Sequence, residues 1–205
     1  MKIHDCEQRS TEWYVLRAGK PTASAFSRVI TGKGEPSKSA AEYAITLAGE
    51  MYAGKPLDTF GGTQWTERGR EMETLAASAY EFTNDVTIDQ AGFVTDDYER
   101  YGCSPDGLVG GDGMIEIKCL KAENHIHSLI RHRKDGSADP KYIQQTQGQM
   151  WICKRAWCDL VFYHPDLPTL TIRQIPDRTI QDALARHLDA VILERDEVLA
   201  LLRSQ

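Results

Sequence analysis

The spacing of apolar residues changes at about residue 86, and that change constrains the fold more than any other feature of the chain. Upstream, apolar residues recur at helical spacing over residues 8–18, 22–30, 39–53 and 66–82. Thr22 is suited to cap the second of these helices. Gly19-Lys20-Pro21 and Gly54-Lys55-Pro56 supply the breakers between them. Downstream, residues 86–94, 101–103, 107–109 and 114–120 form short β-type runs, separated by Asp106-Gly107 and Gly110-Gly111-Asp112-Gly113 turns. Helical spacing returns over 122–131 and 140–154, on either side of a polar basic loop. Strands then follow at 157–163 and 170–175, with a last helix at 179–202. This order predicts one α/β domain, 1–205, with a central mixed sheet flanked by helices. N-terminal helices fill 1–85, the sheet and its helices 86–175, and a C-terminal helix 176–205.

Charge divides the chain in a different way. Lys and Arg number 24 against 30 Asp and Glu, a net charge of -6, which by itself disfavours a nucleic-acid partner. The deficit is local, however. Residues 67–116 carry 12 acidic and 3 basic side chains, whereas 117–155 carry 8 basic and 3 acidic. That asymmetry predicts separate surfaces for cations and for an anionic ligand. No apolar run is long enough to span a bilayer, and residues 1–10 lack the apolar core of a secretory signal, so the cytosol is the expected compartment. The five cysteines form no CxxC pair and predict free thiols. His125-x-His127 lacks the ligand spacing of a structural zinc site and suits a packed or solvated role.

The densest chemistry lies in the strands. Pro105-Asp106-Gly107 is followed by a turn and then Ile115-Glu116-Ile117-Lys118. Alternation puts Glu116 and Lys118 on one face of a strand and Ile115 and Ile117 on the other. A hairpin through Gly110–Gly113 would bring Asp106 beside Glu116. Two adjacent carboxylates repel, and a hard divalent cation such as Mg²⁺ relieves that repulsion. Lys118 adds a positive donor that can orient a water, a set suited to metal-assisted phosphodiester hydrolysis. Glu and Lys two residues apart also occur on solvated sheet faces. It is Pro-Asp at short range, within apolar strand residues, that favours an active site.

Pro105-Asp106 with Glu116-Ile117-Lys118 matches the PD-(D/E)xK signature. Three further segments resemble the phage lambda exonuclease family of viral alkaline exonucleases. They are Trp13-x-x-Leu16-Arg17 with Thr22-Ala23-Ser24, Arg68-Gly69-Arg70-Glu71-Met72-Glu73 continuing to Tyr80-Glu81-Phe82-Thr83, and Tyr142-Ile143-Gln144-Gln145-Thr146-Gln147 with Met150-Trp151. The resemblance implies a restriction-endonuclease-like core. Asp106, Glu116 and the backbone carbonyl of Ile117 would ligate Mg²⁺, with Mn²⁺ as a substitute, and Lys118 would activate the attacking water. Glu73, four residues after Gly69, would hold a water or second metal, with Glu71 as a rival. Tyr142 and Gln145 would face the scissile bond. Arg17, Ser24 and Ser104 would bind a terminal 5′-phosphate, while Arg131, Arg133, Lys134 and Gln147 would contact DNA. By residue type alone, Thr22 and Ser24 also suit a helix cap, and Tyr142 with Trp151 a packed helical face.

The implied activity is 5′→3′ digestion of one strand of linear duplex DNA to mononucleotides, without ATP. A homotrimeric ring would act in a bacterial host cell beside a single-strand annealing protein. Two alternatives share these residues: a restriction-type or structure-specific endonuclease, and a non-catalytic DNA-end-binding module.

Overall fold

The computed structural model describes residues 1–57 and 64–204, with the backbone alone at 64–68 and 70. The chain opens with a strand that its sequence pattern does not announce, β1 (Lys2–His4). Helix α1 (Thr11–Arg17) follows, then a 3-10 turn at Ala23–Arg28, α2 (Ala40–Ala53) and α3 (Gln64–Asn84). Five strands come next: β2 (Ile88–Asp89), β3 (Phe93–Thr95), β4 (Gly102–Cys103), β5 (Gly107–Val109) and β6 (Gly113–Cys119). Helix α4 (Ala122–Asp135) leads through a 3-10 turn at Pro140–Tyr142 into α5 (Ile143–Cys153). β7 (Trp157–Tyr163), β8 (Leu170–Gln174) and α6 (Arg178–Arg203) complete the order.

Several boundaries differ from the sequence reading, each for a local reason. α1 begins at Thr11 because the Ser10 side chain accepts the Trp13 N–H and caps it. Thr22 makes no side-chain cap; its hydroxyl accepts from Arg17 Nη2 instead (3.3 Å). The run 86–94 divides into β2 and β3, which lie in different sheets. The start of the basic segment expected as a loop is helical: α4 continues past Arg131 through Arg133 and Lys134 and stops at Gly136 in the left-handed conformation (φ 70). Leu75 is 50% exposed, while its neighbour Ala76 is buried.

Among the described residues two sheets form instead of one. β1, β3 and β4 pair antiparallel in a small sheet. The main sheet has the order β2-β5-β6-β7-β8 and is mixed: β6 and β7 are parallel, and the other pairs are antiparallel. The parallel pair requires a crossover, and α4 and α5 supply it. Strand β6 separates the two faces. Ile115 and Ile117 pack with Ala76 and Tyr80 of α3, Val109 and Val161. Met114, on the opposite face, joins the large core with Phe26, Met150 and Leu184.

Helix α3 is also tied down by polar contacts. The Tyr80 hydroxyl donates to Asp159 on β7 (2.6 Å), and Arg173 of β8 grips the same carboxylate at 2.8 and 2.9 Å. Burial and the adjacent Asp159 carboxylate push the Tyr80 phenol up from its usual range, so it remains a hydrogen-bond donor. This anchor lies seven residues after Glu73, two turns along the same helix.

Candidate active site

The site is built where β5 stops pairing with β6. Their ladder runs from Val109↔Gly113 to Gly107↔Ile115, and the next residue, Asp106, leaves it. The Asp106 side chain replaces the missing backbone partner by accepting the Ile117 N–H (2.6 Å). Both polar backbone groups of a strand residue point the same way, so the Ile117 carbonyl is directed to this side as well. Gln8 Nε2 holds the turn in place by donating to the carbonyls of Pro105 (2.9 Å) and Ala91 (2.8 Å).

Glu116, 3% exposed, is gripped from three directions. Lys118 Nζ (2.6 Å) and Gln145 Nε2 (2.5 Å) donate to Oε1, and Gln149 Nε2 donates to Oε2 (2.7 Å). Lys118 also donates to Gln145 Oε1 (3.2 Å). Burial opposes the ammonium charge, but the Glu116 carboxylate outweighs it and holds the lysine above its ordinary value. Asp106 shifts differently. Burial, then the neighbouring Glu116 charge, holds its carboxyl well above the usual carboxylate range.

Glu73 reaches the same cavity from α3, whereas Glu71 is exposed and lies outside it. Arg9 Nη2 donates to Glu73 Oε2 (2.9 Å) and Oε1 (3.3 Å). Arg9 has φ 72, a left-handed conformation that costs a side-chain-bearing residue roughly 1–2 kcal/mol.

A cationic cluster lines the same cavity. The Arg17 guanidinium stacks 4.0 Å from the Trp13 ring centroid, and its Nη1 donates to Ser104 Oγ (3.4 Å). Trp13 Nε1 donates to the same oxygen (2.8 Å). Ser24 lies 3.4 Å from Thr22, hydroxyl to hydroxyl. Burial lowers the Arg17 pKa, the sign of a charge held partly out of water. One cavity of about 200 Å³ is lined by Arg17, Ser24 and Ser104 together with Glu73, Asp106, Glu116, Lys118 and Gln145.

Gln147 does not join this group. It is buried, donates to the Ile175 carbonyl (2.9 Å) and accepts the Asp177 N–H (2.7 Å), fixing the turn into α6. The glutamine on the site face is Gln149, which sequence reasoning missed. The signal was available, because residues four apart share a helix face and residues two apart do not. Tyr142 packs on Phe162 with centroids 5.7 Å apart, and the Lys118 ammonium lies 5.1 Å from its ring, so it reaches the site through Lys118. Arg131, Arg133 and Lys134 are exposed on α4 and do not line the cavity. Arg9 was missed as well, and its turn gave no sign of an arginine, since glycine is the residue such a backbone favours.

The donors suit a hard cation. Two carboxylates and a backbone carbonyl are the oxygen ligands Mg²⁺ takes alongside its waters. Gln149 Oε1, of a residue that lines the cavity, is a buried acceptor with no partner among the described residues. Among the described residues no three His, Cys, Asp or Glu side chains gather as a site.

An acid–acid–lysine set on a mixed sheet between helices defines a PD-(D/E)xK-type core. Residues 12–156 match the YqaJ-like viral recombinase domain, and the chain belongs to that family. Its structure is similar to an alkaline exonuclease, LHK-Exo, from Laribacter hongkongensis. The identity is 30% and the TM-score 0.81, covering 95% of this chain and 97% of that one, with the same values for LHK-Exo in complex with dAMP. A phage-related exonuclease from Haemophilus somnus 129PT shares the fold at 16% identity and TM-score 0.70, covering 89% and 96% of the two chains. An uncharacterized protein, R354, of Acanthamoeba polyphaga mimivirus is 25% identical over 170 residues, 78% of this chain. The chain spans 30% of that relative's length. No helix among the described residues is long and apolar enough to cross a membrane.

Proposed function

We propose that this chain is a Mg²⁺-dependent 5′→3′ exonuclease that degrades one strand of linear double-stranded DNA to mononucleotides. The observation that carries the reading is the shared cavity, which is lined both by the Arg17 guanidinium with two serine hydroxyls and by the Asp106–Glu116–Lys118 set. A terminal 5′-phosphate bound by Arg17, Ser24 and Ser104 would lay the next phosphodiester over the acids. The similar solved structure of LHK-Exo is that of an alkaline exonuclease, which supports the same reading.

Asp106, Glu116 and the Ile117 carbonyl would hold the ion, with Mn²⁺ able to replace it, and Glu73 would hold a water or a second ion. When bound, Mg²⁺ supplies Lewis-acid polarisation of the phosphate and a water of lowered pKa. Lys118 would direct that water to the phosphorus, since its ammonium is fixed by Glu116 and Gln145. Gln145 and Gln149 would keep the Glu116 carboxylate in one orientation. Tyr142, beside Lys118, would limit that ammonium's movement. Exposed Arg131, Arg133 and Lys134 would meet duplex phosphates. The reading extends to a homotrimeric ring working without ATP, to 3′ overhangs passed to a single-strand annealing protein, and to the cytoplasm of a bacterial host.

Linear duplexes labelled separately at each end, digested with Mg²⁺ or with chelator, test cofactor and polarity together. Label should leave the 5′ end first as mononucleotide, and only with the metal. Robust cutting of a closed circular duplex would support an endonuclease instead.

A further inference from the structure

The turn ahead of α1 keeps an arginine where its backbone favours glycine. Arg9 is at φ 72 while Gln8 before it is not at positive φ, and the Ser10 N–H donates to the Glu7 carbonyl (3.1 Å). That is the pattern of a type II turn, whose third position usually holds glycine. Neighbours fix the turn on both sides. Gln8 is bound to the Ala91 and Pro105 carbonyls, and Ser10 caps α1. Strained positions held in place by their surroundings concentrate at functional sites. Arg9 directs its guanidinium to Glu73, yet both side chains are about one-third exposed. The pair therefore adds little stability, and stability does not account for the arginine.

The pair stands where two cavities meet. Gln8, Arg9, Glu73, Asp106 and Ile117 line both the site cavity and a larger one of about 590 Å³ on the α3 side. Within the site, Glu116 is matched by Lys118 and Glu73 by Arg9, while Asp106 accepts a backbone N–H. While Arg9 grips both Glu73 oxygens, that carboxylate is occupied.

We propose that Arg9 is a substrate-operated counter-ion. In the DNA-free protein it occupies Glu73; a DNA phosphate entering the cavity takes over the guanidinium and frees the Glu73 carboxylate for a divalent cation or its water. A guanidinium fork fits both partners, because carboxylate and phosphate each offer it a pair of oxygens. Linkage then requires the phosphate and the cation to strengthen each other's binding by the same factor. This rests on the nuclease reading above and adds to it an order of loading, with DNA before the cation at Glu73.

Mn²⁺ alone, titrated into metal-free protein and followed by the spin resonance of the free ion, tests the first half without cleavage. Arg9→Gly suits the backbone of the turn and so preserves the fold. It should gain a Mn²⁺ site about tenfold tighter than any wild-type site at Glu73. Arg9→Lys should stay near wild type, and Arg9→Gly with Glu73→Gln should lose the gain. Anisotropy of a 5′-phosphorylated linear duplex in chelator tests the second half. Arg9→Gly should reduce the slope of log affinity against log salt by about one, the loss of one phosphate contact, and Arg9→Lys should restore it. Equal Mn²⁺ binding by wild type and Arg9→Gly, or equal salt slopes, overturns the proposal. Failure of wild-type protein to degrade linear duplex would count against the nuclease reading, and both titrations would still decide the role of Arg9.

Discussion

Asp106 carries a sharp conflict within the site, because its carboxyl is held half-buried beside Glu116 and both are acidic. A carboxyl whose folded pKa exceeds its unfolded value of about 3.9 binds its proton more tightly in the folded state. Its ionisation therefore lowers stability as pH rises above that value. Asp106→Asn keeps an acceptor for the Ile117 N–H and removes the charge. Metal-free variant should melt above metal-free wild type at pH 8, Mg²⁺ should raise the melting temperature of wild type alone, and strand degradation should disappear. Arg17→Ala or removal of the 5′-phosphate should slow initiation on a linear duplex more than the rate of digestion afterwards. A lag-and-rate assay separates the two, and equal lags would remove the pocket. Glu116 and Lys118 were legible because motif and strand alternation agree on them, and Asp106 because a hairpin through Gly110–Gly113 returns it toward Glu116. Arg9 was not, because its ion pair with Glu73 spans 64 residues and its backbone conformation runs against local propensity.

Among the elements, α5 shows why a motif can be read and one of its residues misassigned. Most of the helix is buried, so hydrophobic periodicity does not fix which glutamine faces the acids. Gly148 fixes that phase: a Cβ added there would lie 2.4 Å from Phe26 Cδ2. Gly148→Ala should cost about 1–3 kcal/mol through overpacking, read as a lower denaturant midpoint. It should also weaken catalysis, since Gln145 and Gln149 would move with the helix. The last turn of α4 was misread because its basic residues resemble loop composition. Yet cations followed by a glycine are also how a helix ends. The division of 86–94 has a steric cause: a Cβ at Gly92 would lie 2.1 Å from the Cys6 carbonyl oxygen, so an N-terminal segment crosses where one continuous strand was expected.

For the whole molecule, charge distribution was more informative than net charge. The acids concentrate in the stretch holding Glu73, Asp106 and Glu116, and bound Mg²⁺ would offset part of that local charge. The exposed cations of α4 offer a separate surface for an anion. If the protein encloses DNA as a ring, its solution mass should be near three times the 23.0 kDa protomer, and light scattering at working concentration checks this. A monomer would leave processivity without a topological basis.

The site also draws its members from widely separated parts of the chain. Trp13 meets Ser104 across 91 residues, Arg9 meets Glu73 across 64, and Gln149 meets Glu116 across 33. Loop closures of that length are late events in folding compared with formation of α2 or α6, whose contacts begin locally. A chain emerging during synthesis would hold helices long before it held a complete site. Nucleolytic competence would thus be acquired late, once the N-terminal segment has reached Glu73 and Ser104 and α5 has brought Gln145 and Gln149 onto Glu116.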